Sequence, residues 1–145
     1  MKSTQKSTLF ILIICLSYFG FSCQQTQPKS FTCVGFKDTV LHKFVYKTTD
    51  VPPEPVGGFE SINKLISKNF KPDGESFGRI VVAFVVETNG TIDGKRTLHD
   101  PFGKNGSASK QLLNILTKVT WQPGVCNGRK VPCLQVFPLN IDLGE

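Results

Sequence analysis

Histidine is scarce in this chain, and the residue constellations that mark the common catalytic designs are missing. The two histidines, His42 and His99, stand in no HExxH pattern, so both read as surface or loop residues. No G-x-S-x-G elbow offers an activated serine, and no Walker lysine loop offers a phosphate cradle. The stretch "GVCNG" has glycines without the strand-to-helix setting that phosphate binding needs. Cys-x-x-Cys is absent, which removes thioredoxin-type exchange. Six residues separate Cys126 from Cys133, where metal knuckles usually have about two to four. Zinc held by Cys33, Cys126, Cys133 and a histidine is therefore disfavoured. There is no dense Lys/Arg block and no RNA-binding signature, which sets nucleic acid aside. No catalytic residue, metal or cofactor is assigned, and the expectation is a protein that is not an enzyme.

What is present is an ordinary globular balance. At 145 residues, with 39% apolar and 19% charged residues, the chain suits one modest domain plus extensions rather than disorder. The net charge of +6 includes Lys2 and Lys6; without them about +4 remains. Such a surface suits anionic lipid headgroups or an acidic peptide equally.

The opening "MKSTQKSTLFILIICLSYFGFSC" has early lysines, an apolar run Leu9–Phe21, and Gly20 and Ser22 just before Cys23. That is the layout of an export signal. The run is shorter than the roughly 20 residues a membrane span takes, which disfavours a retained anchor. The stretch resembles a bacterial lipoprotein lipobox, with Gly20 where Leu is usual. Residues 1–22 are expected to leave, and Cys23 to carry a lipid. Ordinary signal peptidase would also accept Gly20-Phe21-Ser22, and that cleavage stays open.

Cysteine parity follows from the choice. Cys15 leaves with the signal. With Cys23 acylated, Cys33, Cys126 and Cys133 remain, an odd set in an oxidising compartment. The simplest outcome is a Cys126–Cys133 disulfide with Cys33 free; without acylation, Cys23 and Cys33 can form a second bridge. The loop decides the first pairing. A two-residue Asn127-Gly128 turn sets Cys126 opposite Arg129, whereas a wider loop over 127–132, favoured by Pro132, sets the cysteines face to face. So short a closed loop would add about 2 kcal/mol.

Residues 23–44 read as a polar tether and an early strand, and 45–145 as the domain. "DVPPEPVGG" is read as irregular, because its prolines remove backbone donors. Phe59, Ile62, Leu65, Ile66 and Phe70 fall at helical spacing, and Pro72 and Gly74 end that helix. "RIVVAFVVETNGTIDGKRTLHD" reads as a hairpin on a type I′ Asn89-Gly90 turn. Its first arm, apolar on both faces, suits a central covered strand. Its second arm sets Ile92 and Leu98 against Asp93, Lys95 and Thr97. Ser107 is placed to cap a second helix with the stripe Ala108, Leu112, Ile115, Leu116 and Val119. A final strand follows. The expected fold is α+β, two helices on one face of a small antiparallel sheet, with no internal repeat.

In that final strand, "VPCLQVFPLNIDL", the odd positions Val131, Cys133, Phe137, Leu139, Ile141 and Leu143 are apolar and belong on the core, Gln135 excepted. Pro138 lacks an N–H, which argues for an edge strand. Such an edge offers Leu134, Val136, Pro138 and Asn140 to a guest peptide. The same proline also suits an edge protected against pairing; the residues alone leave both readings standing.

From Val45 onward the chain resembles a TonB carboxy-terminal domain of the kind common in Bacteroidetes energy transducers. The matching segments are "DVPPEPVGGFESINKLISKNF", "GRIVVAFVVETNGTID", "WQPG…NG…V" and "FPLNIDL", in family order over about two-thirds of the chain. The ordered set carries the resemblance; no single motif does. It implies a small periplasmic α+β domain that binds an extended segment of outer-membrane TonB-dependent receptors by strand addition. It also places Trp121 at a family position, read here as structural. Family transducers carry an amino-terminal membrane helix and a long Pro-rich rod, which this sequence does not show. Residues 24–50 would reach about 90 Å at roughly 3.3 Å per residue. "FKPDGESF" replaces the family's Tyr-Pro-x-x-Ala segment. The expectation is a lipid-anchored binding domain on the periplasmic side of the outer membrane, held through Cys23, with binding kept and force transmission lost. A structural, self-associating envelope lipoprotein, paired as a homodimer, is the alternative.

Overall fold

The apolar run expected to be a covered strand is an interior strand of the sheet, paired on both sides. The computed structural model describes residues 33–72, 77–102 and 106–142. In chain order its elements are β1 (Val34–Lys37), β2 (Phe44–Thr48), β3 (Glu54–Pro55), α1 (Gly58–Asn69), β4 (Phe77–Val86), β5 (Ile92–His99), α2 (Ser107–Thr117), β6 (Trp121–Gln122), β7 (Gly124–Cys126), β8 (Arg129–Val131) and β9 (Cys133–Asp142). The main sheet has the order β1-β2-β9-β4-β5. β4 pairs with β9 without a slip from Phe77↔Asp142 to Val86↔Cys133. Residues 1–22, Cys23, Gly74 and Leu143 lie outside the described residues.

The α+β class holds, but the sheet is mixed rather than antiparallel throughout. β2 meets β9 in parallel, at Tyr46↔Cys133 alone. No tight turn joins these distant segments, so nothing local imposes the antiparallel direction that a hairpin requires. The early strand is in fact a hairpin, β1 on β2. It straddles the expected start of the domain at 45, where Val45 is fully buried.

Both helices cover one face. Ile62 and Ile66 from α1 and Leu112, Ile115 and Leu116 from α2 pack with Ile80, Val82, Phe84 and Val86 of β4. The helical spacings seen in the sequence are therefore the core-facing stripes, except that Phe59, in the first turn of α1, is exposed and outside the core. Trp121 joins this core, its ring 5.2 Å from that of Phe84. The cap of α2 is not Ser107, which is already helical; Gly106 precedes it in the left-handed region. Asp100 instead accepts the Ser109 N–H at 2.7 Å. A carboxylate from the preceding loop thus does the capping, beside the positive end of the helix.

Turn chemistry departs from expectation in the hairpin. Gly90 has φ +84, while Asn89 is not among the residues with positive φ, so the turn is not type I′. The Gly90 N–H donates to the Glu87 carbonyl and Glu87 N–H to the Thr91 carbonyl, which gives a three-residue loop with glycine in the left-handed place. Packing enforces it. Trp121 N–H donates to the Gly90 carbonyl at 3.1 Å, and a Cβ on Gly90 would overlap the Trp121 carbonyl oxygen. Two register shifts along β5 also break the expected alternation. Thr97 turns to the helices, where its hydroxyl meets Ser109, and Leu98 is left exposed. The "DVPPEPVGG" segment is not wholly irregular: Glu54–Pro55 pairs with Trp121–Gln122, and Val51 bridges Val125.

The amino-terminal hairpin covers the opposite face. Arg96 pairs with Ala83 on that side, and its guanidinium reaches Asp38 at 2.8 Å. Lys43 reaches Glu87 at 2.6 Å. Val45, Ala83 and Val85 are buried there, outside the helix-side core. Asp38 is 1% exposed and also accepts the N–H groups of Val40 and Leu41, each at 2.9 Å. The Arg96 hydrogen bond, with those backbone donors, holds its carboxyl below the usual 3.8.

A depressed carboxylate pKa gives stability that is full above about pH 4 and is lost as pH falls through the lower, folded value. Asp38→Ala should therefore cost about 3 kcal/mol at pH 7, because it leaves Arg96 and two backbone donors unpaired. Its stability should also fall less steeply than the wild type's in acid. Urea unfolding at pH 7 and pH 3 checks both.

Candidate functional site

Two features carry the candidate chemistry, the cysteines and the rim of β9. Asn127 and Gly128 both have positive φ, 49 and 73, and β7 and β8 close on them with Cys126↔Arg129. This is the two-residue turn, not the wider loop. Cys126 is thus held away from Cys133, and the expected Cys126–Cys133 bridge is not formed. Cys126 bonds instead to Cys33, 93 residues away in sequence, and Cys133 is the free thiol. Asp50 anchors the turn by accepting the Asn127 N–H at 2.7 Å. Its carboxylate lies within 4.8 Å of both disulfide sulfurs, but a disulfide offers no thiolate to a metal. Cys133 is buried, and burial pushes its thiol pKa up, which makes it unreactive.

β9 alternates as expected. Cys133 and Ile141 are buried and Phe137 and Leu139 pack on the core, while Val136, Pro138 and Asn140 are exposed. Tyr46 N–H donates to the Pro132 carbonyl at 2.9 Å, so that carbonyl points away from β4. Backbone groups change sides at each residue of a strand, and the β4–β9 register has no slip. Leu134, Val136, Pro138 and Asn140 therefore direct their N–H and C=O groups to the same outer side. The missing Pro138 N–H falls on that side and takes nothing from the ladder with β4.

β9 is consequently not an edge strand along its whole length. β2 flanks it at Cys133. Beyond that point, among the described residues, no strand pairs with its outer side, and Val136 to Asn140 form an open rim. Where β2 diverges, a recess of about 280 Å³ opens, lined by Lys47, Thr49, Asp50, Pro52, Cys133 and Gln135 among others. It lies at the start of the open rim and can hold a side chain. Sequence reasoning missed this recess, because it depends on β2 lying beside β9, and no pattern local to either segment shows that. It also missed Asp38, Arg96 and Asp50, because the Asp38–Arg96 pair and the Asp50–Asn127 hydrogen bond each join residues far apart in sequence.

Cys23 lies outside the described residues. Among the described residues no helix is long and apolar enough to cross a membrane. Comparison of the chain with protein-family models and with curated proteins finds no match.

Digestion without reductant should release a Cys33–Cys126 cross-linked peptide, with Cys133 alkylated only after unfolding. A Cys126–Cys133 peptide would contradict the structure. Reduction should cost about 4 kcal/mol of stability, as closing a long loop implies.

Proposed function

We propose that this chain is a lipid-anchored periplasmic domain that captures an extended segment of an outer-membrane TonB-dependent receptor by strand addition, as the TonB carboxy-terminal domains it resembles do. The observation that supports this reading is the open rim of β9. Outward backbone groups at Val136, Pro138 and Asn140 have no strand against them among the described residues, and strand addition needs such a row of unused donors and acceptors. The apolar residues between them, Phe137 and Leu139, lie at the margin of the helix-side core. A guest side chain beside them leaves water. The recess near Cys133 extends the same rim.

The edge strand β5 is less suitable. β5 carries two register shifts along its pairing with β4, and bulges and charges such as Lys95 discourage a further strand. In this reading the polar stretch after Cys23 serves as the tether, and the lipid on Cys23 holds the domain at the membrane.

A photocrosslinker at Val136 of the purified domain should capture synthetic peptides from the amino-terminal segments of TonB-dependent receptors. The same probe at Lys95 serves as control. Asn140→Pro removes one outward donor and should weaken capture by about tenfold. Capture at Val136 no stronger than at Lys95 would dispose of the docking claim.

A further inference from the structure

The open rim is chemically uneven. Val136 and Asn140 each present an N–H and a C=O to the outside, whereas Pro138 between them presents only a C=O. A foreign strand laid antiparallel along this rim loses a single hydrogen bond, the one Pro138 cannot donate. A second copy of the chain brings a second Pro138. In the two-fold arrangement that closes such a dimer, Val136 opposes the partner's Asn140 and the two prolines oppose each other. Both bonds at the centre are then missing. Sliding the copies by two residues moves each proline against a different neighbour and still forfeits one bond per chain. Sliding by one residue sets outward groups against inward ones, which forms no ladder.

We propose that Pro138 makes this rim selective, open to an extended segment of another protein and closed to a second copy of the same chain. The first half rests on the docking reading; the second half stands on the geometry of β9 alone. The partner is defined by the same chemistry. It must keep an N–H at the residue facing Pro138 and at the next residues on either side that face the rim, so proline is excluded from those alternate places. The residues between them lie alongside Phe137 and Leu139, on the face that carries the core, so apolar side chains fit there.

The test restores the missing donor. Wild-type protein should sediment as a monomer. Pro138→Ala should self-associate with a constant raised roughly 30-fold, the effect of one regained hydrogen bond per copy. The double variant Pro138→Ala with Asn140→Pro should return to the monomer. Pro138→Thr repeats the measurement with a strand-favouring side chain, and thermal melting shows that each variant is folded. A wild-type dimer joined through Val136, or folded Pro138→Ala and Pro138→Thr variants as monomeric as the wild type, would overturn the proposal. Sedimentation reads self-exclusion and the receptor-segment crosslink reads docking, so the failure of one is distinguishable from the failure of the other.

Discussion

The unbroken ladder between β4 and β9 is the constraint from which the rest of the molecule follows. It joins residues 77–86 to residues 133–142 in one register, so the middle of the chain is fixed to its end. A slip by one residue would exchange every core-facing side chain for one on the opposite face. Either Ile80, Val82 and Phe84 would leave the helices or Ile141 would turn from the core. Register is therefore specified by burial on both strands at once. The α1 and α2 stripes merely complete the face this pairing creates.

The second face of β4 explains the amino-terminal hairpin. Ala83 and Val85 are fully apolar and point away from the helices, and leaving them in water would forgo their burial. The hairpin, in which Val45 is buried, is held there by Asp38–Arg96 and Lys43–Glu87. The Cys33–Cys126 bridge then secures the chain just before β1 to the β7–β8 turn. These ties act on one small unit whose own apolar contacts are few. That is the setting in which a covalent link and a buried ion pair add most to order.

Much of this was legible in short stretches of sequence. The spacing of Ile62 and Ile66, and that of Leu112 and Leu116, marked core faces because a helix repeats its surface every turn. The apolar run of β4 marked a covered strand for a similar reason. What failed was chemistry decided from afar. Asn89-Gly90 suited a type I′ turn by local preference, but the carbonyl of Trp121 packs against Gly90 and the loop took another form. Ser107 suited a cap, but Asp100 reached the helix end first. Cys133 was the near partner of Cys126 in sequence, yet the Asn127-Gly128 turn set Arg129 opposite it and left Cys33 within reach. In β9 the alternation was legible, because it is a local property, but the edge position expected from Pro138 does not hold at Cys133, where β2 pairs with the strand. Its partial closure by β2 was not visible, since that contact spans most of the chain.

Energetics also limits what the open rim can achieve alone. Exchanging water for a guest at a handful of backbone groups is worth about 1 kcal/mol per bond. Joining two molecules costs on the order of 4–15 kcal/mol in lost freedom. Val136 to Asn140 offer too few bonds to meet that cost, and Pro138 removes one of them. For the docking proposed above, affinity would have to come from apolar surface laid against Phe137 and Leu139 and from occupation of the recess beside Cys133, at about 25 cal/mol per Å². The backbone ladder sets direction and register, while the side chains decide which segment stays. Under that proposal, a rim of this length would suit brief, selective engagement rather than permanent assembly. Pro138 strengthens that bias, because it weakens symmetric self-pairing more than it weakens a visit by a different strand.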